Sequence, residues 1–170
     1  MPKYRLLTDE ELNQLEGVFI NFLAANSITA SDWEMIKNKD IDKMDQLIEQ
    51  FSDVVFEKTL ANINLLEKRL HNKLLMYKFS ENKINLLGIE IIKNCPIDFR
   101  EEFNLSELSG LFTDKNLEIS FILGDKPYFE DRKKEIFDLM ESGAMISQNK
   151  ELFSALEKLK NAYGENSKED

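Results

Sequence analysis

The sequence predicts an α+β fold, and three observations carry that prediction. Apolar residues recur at helical spacing through the first sixty positions. They change to strict alternation between Ile63 and Ile92, and again from Leu117 to Leu123. Helical spacing then returns from Glu135 to Tyr163. Helices, a small sheet, then helices is the order expected of helices packed on one face of an antiparallel sheet. With 170 residues the chain is long enough for one compact domain and marginal for two. We therefore expect a single α+β domain over 1–163, followed by a polar tail over 164–170. Within it, 1–60 should be helical, 61–124 mainly an antiparallel sheet of about four strands, and 128–163 a helical hairpin.

The first helix has a complete start signal. Thr8 and Glu11 form a capping box, and Leu7 and Leu12 a hydrophobic staple. Leu12, Leu15, Phe19, Phe22 and Leu23 then share one face. Thr29, Asp32 and Trp33 repeat the pattern for a short second helix ending near Asn38, with Trp33 as a core anchor. Asp40 can cap a third, whose buried stripe is Ile41, Met44, Leu47, Ile48, Phe51 and Val55.

Strand signals follow. Leu75, Tyr77 and Phe79 alternate with Leu74, Met76 and Lys78. His71-Asn72 suits a tight turn and "SENK" a hairpin loop. Gly88 suggests a bulge in the next strand. "DFREEFNLSELSGLF" reads as short helical turns, and the last strand should stop at "GDKP". In the C-terminal region Gly143 fits a helix C-cap and Ser147 an N-cap. Met145 and Ile146, between them, call for burial.

That last region also raises a DNA-reading helix-turn-helix. Its second helix offers Gln148, Asn149 and Lys150 but no arginine, and Lys126–Tyr163 has no net charge. Base readout favours Arg, Lys, Asn or Gln on an exposed helix start. A packed pair of helices is the better reading.

Composition narrows the function. The net charge is -10, with 42% hydrophobic and 32% charged residues. Such acidity opposes nucleic-acid backbones and anionic membranes unless basic residues cluster. Cys95 is the single cysteine and His71 the single histidine, which excludes an internal disulfide and any site built on several histidines. Cys95 reads as a small buried hydrophobe and His71 as a turn residue without a visible catalytic partner. No phosphate-binding glycine loop, HExxH or calcium loop occurs. Asp98, Glu101 and Glu102 read as a solvated face rather than a metal site. No cofactor or metal is expected. "MPKYRLLTDEEL" lacks the apolar core of a signal peptide, and no stretch reaches the roughly 18 apolar residues of a membrane span. A cytoplasmic protein that does not enter membranes is the expectation.

Two surfaces invite partners. Residues 1–60 carry 6 Lys/Arg against 12 Asp/Glu, and Asp45, Glu49 and Asp53 lie at successive helical turns, suited to a basic protein partner. Residues 61–92 form the basic region. There Lys68, Arg69, Lys73 and Lys78 accompany Tyr77 and Phe79, two aromatics on one strand face, the combination that stacks single-stranded bases. A protein-binding adaptor or regulator without catalytic activity is the leading expectation. An RNA or ribonucleoprotein factor is the alternative.

"KYRLLTDEELNQLEGVFINFLAANSITASDWEMIK", "FSDVVFEKTL" and "EIFDLMESGAMIS" followed by "ELFSALEKL" together resemble an uncharacterised family of small Bacteroidetes proteins, a domain of unknown function. The resemblance covers nearly the whole chain and brings no chemistry with it. A histidine–tRNA ligase label borne by some relatives is not supported by these residues, which contain no adenylate-forming motif and leave no room for such a catalytic domain. What the resemblance leaves is a link to translation through a partner, which fits the RNA alternative.

Overall fold

The structure, a computed structural model, describes residues 1–164; the remainder of the expected polar tail, 165–170, lies outside the described residues. The fold is α+β, with seven helices and a five-stranded antiparallel sheet among the described residues. Contacts divide the chain into two compact units, Met1–Asn62 and the residues from Ile63 onward.

The first unit is helical: α1 (Asp9–Gln14), α2 (Glu16–Ala25), α3 (Ala30–Lys39) and α4 (Ile41–Ala61). The start signals act as read. Thr8 with Glu11 and Thr29 with Asp32 form reciprocal capping boxes, and Asp40 caps α4 by accepting from the Lys43 N–H. The first expected helix is broken at Leu15, which caps both α1 and α2. Ser27 closes α2 in a left-handed conformation, φ 59°. The Ile28 N–H reaches the Leu23 carbonyl and the Ser27 N–H that of Ala24, the Schellman pattern. Leu23, Ile36 and Leu47 form a core with Phe19, Phe22, Ile28, Trp33 and Met44, so Trp33 is an internal anchor. Phe51 is buried against the rings of Phe19 and Phe22. Ile41 departs from the expected stripe and is exposed.

The second unit is built on a sheet of order β4-β3-β2-β1-β5. Its elements are β1 (Leu65–Leu70), β2 (Lys73–Phe79), β3 (Lys83–Ile91), α5 (Leu105–Leu111), β4 (Ile119–Pro127), α6 (Arg132–Glu141), β5 (Met145–Ile146) and α7 (Lys150–Tyr163). His71-Asn72 joins β1 to β2, and the 80–83 loop joins β2 to β3 with the Ser80 N–H on the Lys83 carbonyl. Leu74, Met76, Leu87, Ile89 and Ile91 form a core with Phe99 of the β3–α5 connection, Leu108 and Leu111 of α5, and Leu152, Phe153, Leu156 and Leu159 of α7.

Several expectations need correction. Gly88 is not at a bulge, since the β2–β3 and β3–β4 registers run unbroken through it. A Cβ there would lie 2.6 Å from both the Leu74 carbonyl oxygen and Leu75 Cδ2, so the glycine serves close approach in the middle of the sheet. β4 does not stop at "GDKP" but pairs as far as Pro127. Ser147 does not cap α7; Asn149 does, accepting from the Leu152 N–H. The C-terminal helices are present but are not joined by a simple turn. After the Gly143 C-cap (φ +101°) the chain enters β5, which pairs with β1. There Met145 and Ile146 are exposed rather than buried.

The helices also use both sheet faces, not one. α7 packs on the face of Leu74 and Met76. α6 meets the opposite face, where Lys68 donates to the Ser142 carbonyl at 2.7 Å and Lys126 pairs with Glu135 at 2.9 Å. A buried Glu67 fixes this crossing, accepting from the Ser147 hydroxyl at 2.8 Å and from Arg69 Nε at 2.9 Å.

Candidate functional site

The acidic stripe of α4 is the candidate surface that the sequence marks most clearly. Asp53 is engaged within the first unit: its carboxylate accepts the Lys3 N–H at 2.9 Å on each oxygen and the Tyr4 N–H at 3.3 Å. One turn on, Glu57 accepts from Lys3 Nζ at 2.6 Å and from the Tyr4 hydroxyl at 2.9 Å. Burial and the bond to Glu57 push the Tyr4 hydroxyl up to about 12. The Leu7 N–H ends on the buried Ser52 Oγ at 3.1 Å. Arg5 forks onto Glu11 at 2.8 and 2.9 Å; with the Thr8 N–H this lowers the Glu11 carboxyl to about 2. Glu49 lies 3.3 Å from the Met1 amino group, and Asp45 is exposed. Residues 1–11 thus run along the stripe and take up two of its three expected groups.

The basic segment is divided by the pleat. Register places Lys68, Lys73, Tyr77 and Phe79 on one sheet face and Arg69 and Lys78 on the other. Phe79 is 4% exposed, so its ring does not offer a stacking surface. Tyr77 is half-buried, and burial raises its hydroxyl pKa. Lys68 is held by Ser142, Lys73 by Glu90 at 3.3 Å and Arg69 by Glu67. Lys78 lies over the Phe153 ring, 5.2 Å from its centroid. Two concavities of about 530 and 450 Å³ flank that contact and share Lys78, Phe153 and Glu157. Lys160 lines the first and Lys150 the second. α7 supplies these lysines, and segment-wise charge counting misses them.

His71 acquires a partner that sequence spacing does not show. Its Nδ1 lies 3.1 Å from Asp98 Oδ2, and Arg100 clasps the same carboxylate. The Arg100 guanidinium, with its backbone N–H, holds Asp98 well below the ordinary carboxylate range. Such an orienting pair also occurs in acid–base sites. Here the imidazole is 58% exposed, and Cys95 donates to the Ile97 carbonyl at 2.9 Å. Among the described residues no three His, Cys, Asp or Glu side chains are grouped to hold a metal.

The β4 edge is the feature without any single residue as its marker. β4 pairs on one side with β3 and forms the end of the sheet. Its outer side presents backbone N–H and C=O groups over nine residues. Leu123 on it is 58% exposed, and Phe129, just beyond, is 90% exposed. At the other end β5 has two residues.

This chain belongs to a family of unknown function, DUF6495, whose model matches residues 1–161. No curated protein and no solved structure matches it. No helix among the described residues is long and apolar enough to cross a membrane.

Proposed function

We propose that this chain is a cytoplasmic, non-enzymatic adaptor or regulator that binds protein by strand addition at β4. The observation that supports this most is the outer edge of β4, unpaired among the described residues, with Leu123 exposed on it. An uncovered edge offers main-chain hydrogen bonds to an extended segment, and alternate side chains give it selectivity. The acidic α4 surface, reduced to Asp45 and its neighbours, is secondary. A photo-crosslinking residue at position 123, with one at exposed Glu141 as control, tests the reading in the native host. Protein adducts from 123 but not from 141 are expected. No adduct from 123 would sink strand addition at this edge.

A second reading keeps the nucleic-acid alternative. It rests on Lys78, Lys150 and Lys160, which line the two concavities beside Phe153 together with Glu157 and Asp125. It moves the contact from Tyr77 and Phe79 to the opposite sheet face. Salt-dependent binding of single-stranded RNA, lost in Lys78→Glu, would support it. Binding unchanged by that substitution would remove it.

A further inference from the structure

The phase of the sheet hydrogen bonds determines which β4 groups are available. The Ile92 N–H donates to the Glu118 carbonyl at 2.9 Å, and register pairs Ile91 with Ile119. Ladder bonds alternate along an antiparallel pair, so Glu118, Ser120, Ile122 and Gly124 turn their backbone groups toward β3. The other side of β3 agrees, since the Ile91 N–H is on the Asn72 carbonyl across β2. Ile119, Phe121, Leu123 and Asp125 therefore turn theirs outward. Pro127, also in the outward phase, has no N–H and ends the available run.

From this phase we infer that the β4 edge pairs with the β4 edge of a second copy of this chain, antiparallel and centred on Ile122. The inference rests on the strand-addition reading and names its partner. Outward residues must face outward residues, which restricts the centre of a two-fold pairing to a residue rather than a peptide bond. The charged residues between Glu118 and Pro127 are Glu118, Asp125 and Lys126. Centring on Ile122 sets Glu118 opposite Lys126 of the second copy, twice by symmetry, so that Lys126 would lie between Glu118 of the other copy and Glu135 of its own chain. Centring on Phe121 or Leu123 sets Glu118 opposite Gly124 or Tyr128 instead. Pairing Asp125 with Lys126 would violate the phase. The chosen register also sets exposed Leu123 against Phe121 of the other copy, a hydrogen-bonded cross-strand pair on the face where Phe121 stacks on Phe112. The contact is self-complementary, so it closes as a dimer with a continuous sheet.

Sedimentation equilibrium on the full chain tests this with Glu118→Lys, Lys126→Glu, the double exchange, and an equimolar mixture of the single variants. The wild type should dimerise. Each single variant should weaken the dimer by about tenfold or more, because like charges then oppose twice. The double exchange and the mixture should both restore it. A monomeric wild type, or single variants that dimerise like wild type, would overturn the inference. If wild type is monomeric while position 123 still crosslinks to another protein, self-pairing fails and strand addition stands. If position 123 crosslinks to nothing, both fail.

Discussion

The acidic stripe of α4 and the outer edge of β4 both present rows of polar groups, but among the described residues only the first is largely taken up within its own unit. Along α4, the N-terminal segment supplies the donors: Lys3 and Tyr4 end on Asp53 and Glu57, and Leu7 on Ser52. Along β4, the outward backbone groups of Ile119, Phe121, Leu123 and Asp125 lie at the end of the sheet. Charge density is therefore a poor guide to a recruiting surface in this molecule. A carboxylate that accepts from two backbone N–H groups is structural, whereas an edge with ordinary side chains is open to pairing.

Adjacent proline substitutions should separate the two sides of β4 most strongly. Ile122→Pro removes an N–H bonded to Gly88 inside the sheet, so thermal unfolding should show a loss of roughly 1–3 kcal/mol or more. Leu123→Pro removes an outward N–H; in dilute solution, where the chain is monomeric, it should leave the melt nearly unchanged, while in concentrated solution it should abolish pairing at the edge. Equal destabilisation by both would mean that the edge is covered.

On the α4 side, Ser52→Ala leaves the buried Leu7 N–H without an acceptor. It should cost about 1–3 kcal/mol in a urea melt. Asp53→Ala releases Lys3 and Tyr4 and should cost about 1–2 kcal/mol, reduced by partial exposure. If Asp53 instead served a partner, its loss would leave the melt untouched. Asp45→Lys, at an exposed position, should shift stability by less than about 0.5 kcal/mol.

The smallest effects are in the pH dependence of residues 1–11. Tyr4 is raised to about 12 in the folded chain, so its contribution is present below the ordinary tyrosine value of 10.0 and is lost as pH rises through 12. Ultraviolet titration should find one tyrosinate forming near 12, returning toward 10.0 in Asp53→Ala if the segment detaches. Glu11 is lowered to about 2; its contribution is present above 4.5 and is lost as pH falls through 2. Arg5→Gln should move the Glu11 titration, followed by carboxyl carbon NMR, upward toward 4.5.

Local rules made much of this architecture legible in advance. Thr8, Thr29 and Asp40 each signal a helix start through a side chain acting within three residues, and Gly143 signals a stop through its own φ. The turn at His71-Asn72 and the alternation along 73–79 are equally local. What escaped depends on partners distant in sequence. Gly88 reads as a bulge until Leu74 and Leu75 are known to crowd it. Met145 and Ile146 read as core because their apolarity does not reveal that they form a sheet edge. Asp53 reads as surface acidity because its partners lie 50 and 49 residues away. The β4 edge is hidden for the same reason: alternation identifies a strand, and only topology says that among the described residues it pairs on one side alone.

The most direct test is amide hydrogen exchange, read residue by residue along β4 at low and high protein concentration. Ser120, Ile122 and Gly124 should exchange slowly at both, because they bond to β3. Ile119, Phe121, Leu123 and Asp125 should exchange quickly in dilute solution and slowly when concentrated, as a second edge covers them. Fast exchange of those four amides at every concentration, with their neighbours still protected, would contradict self-pairing at this edge.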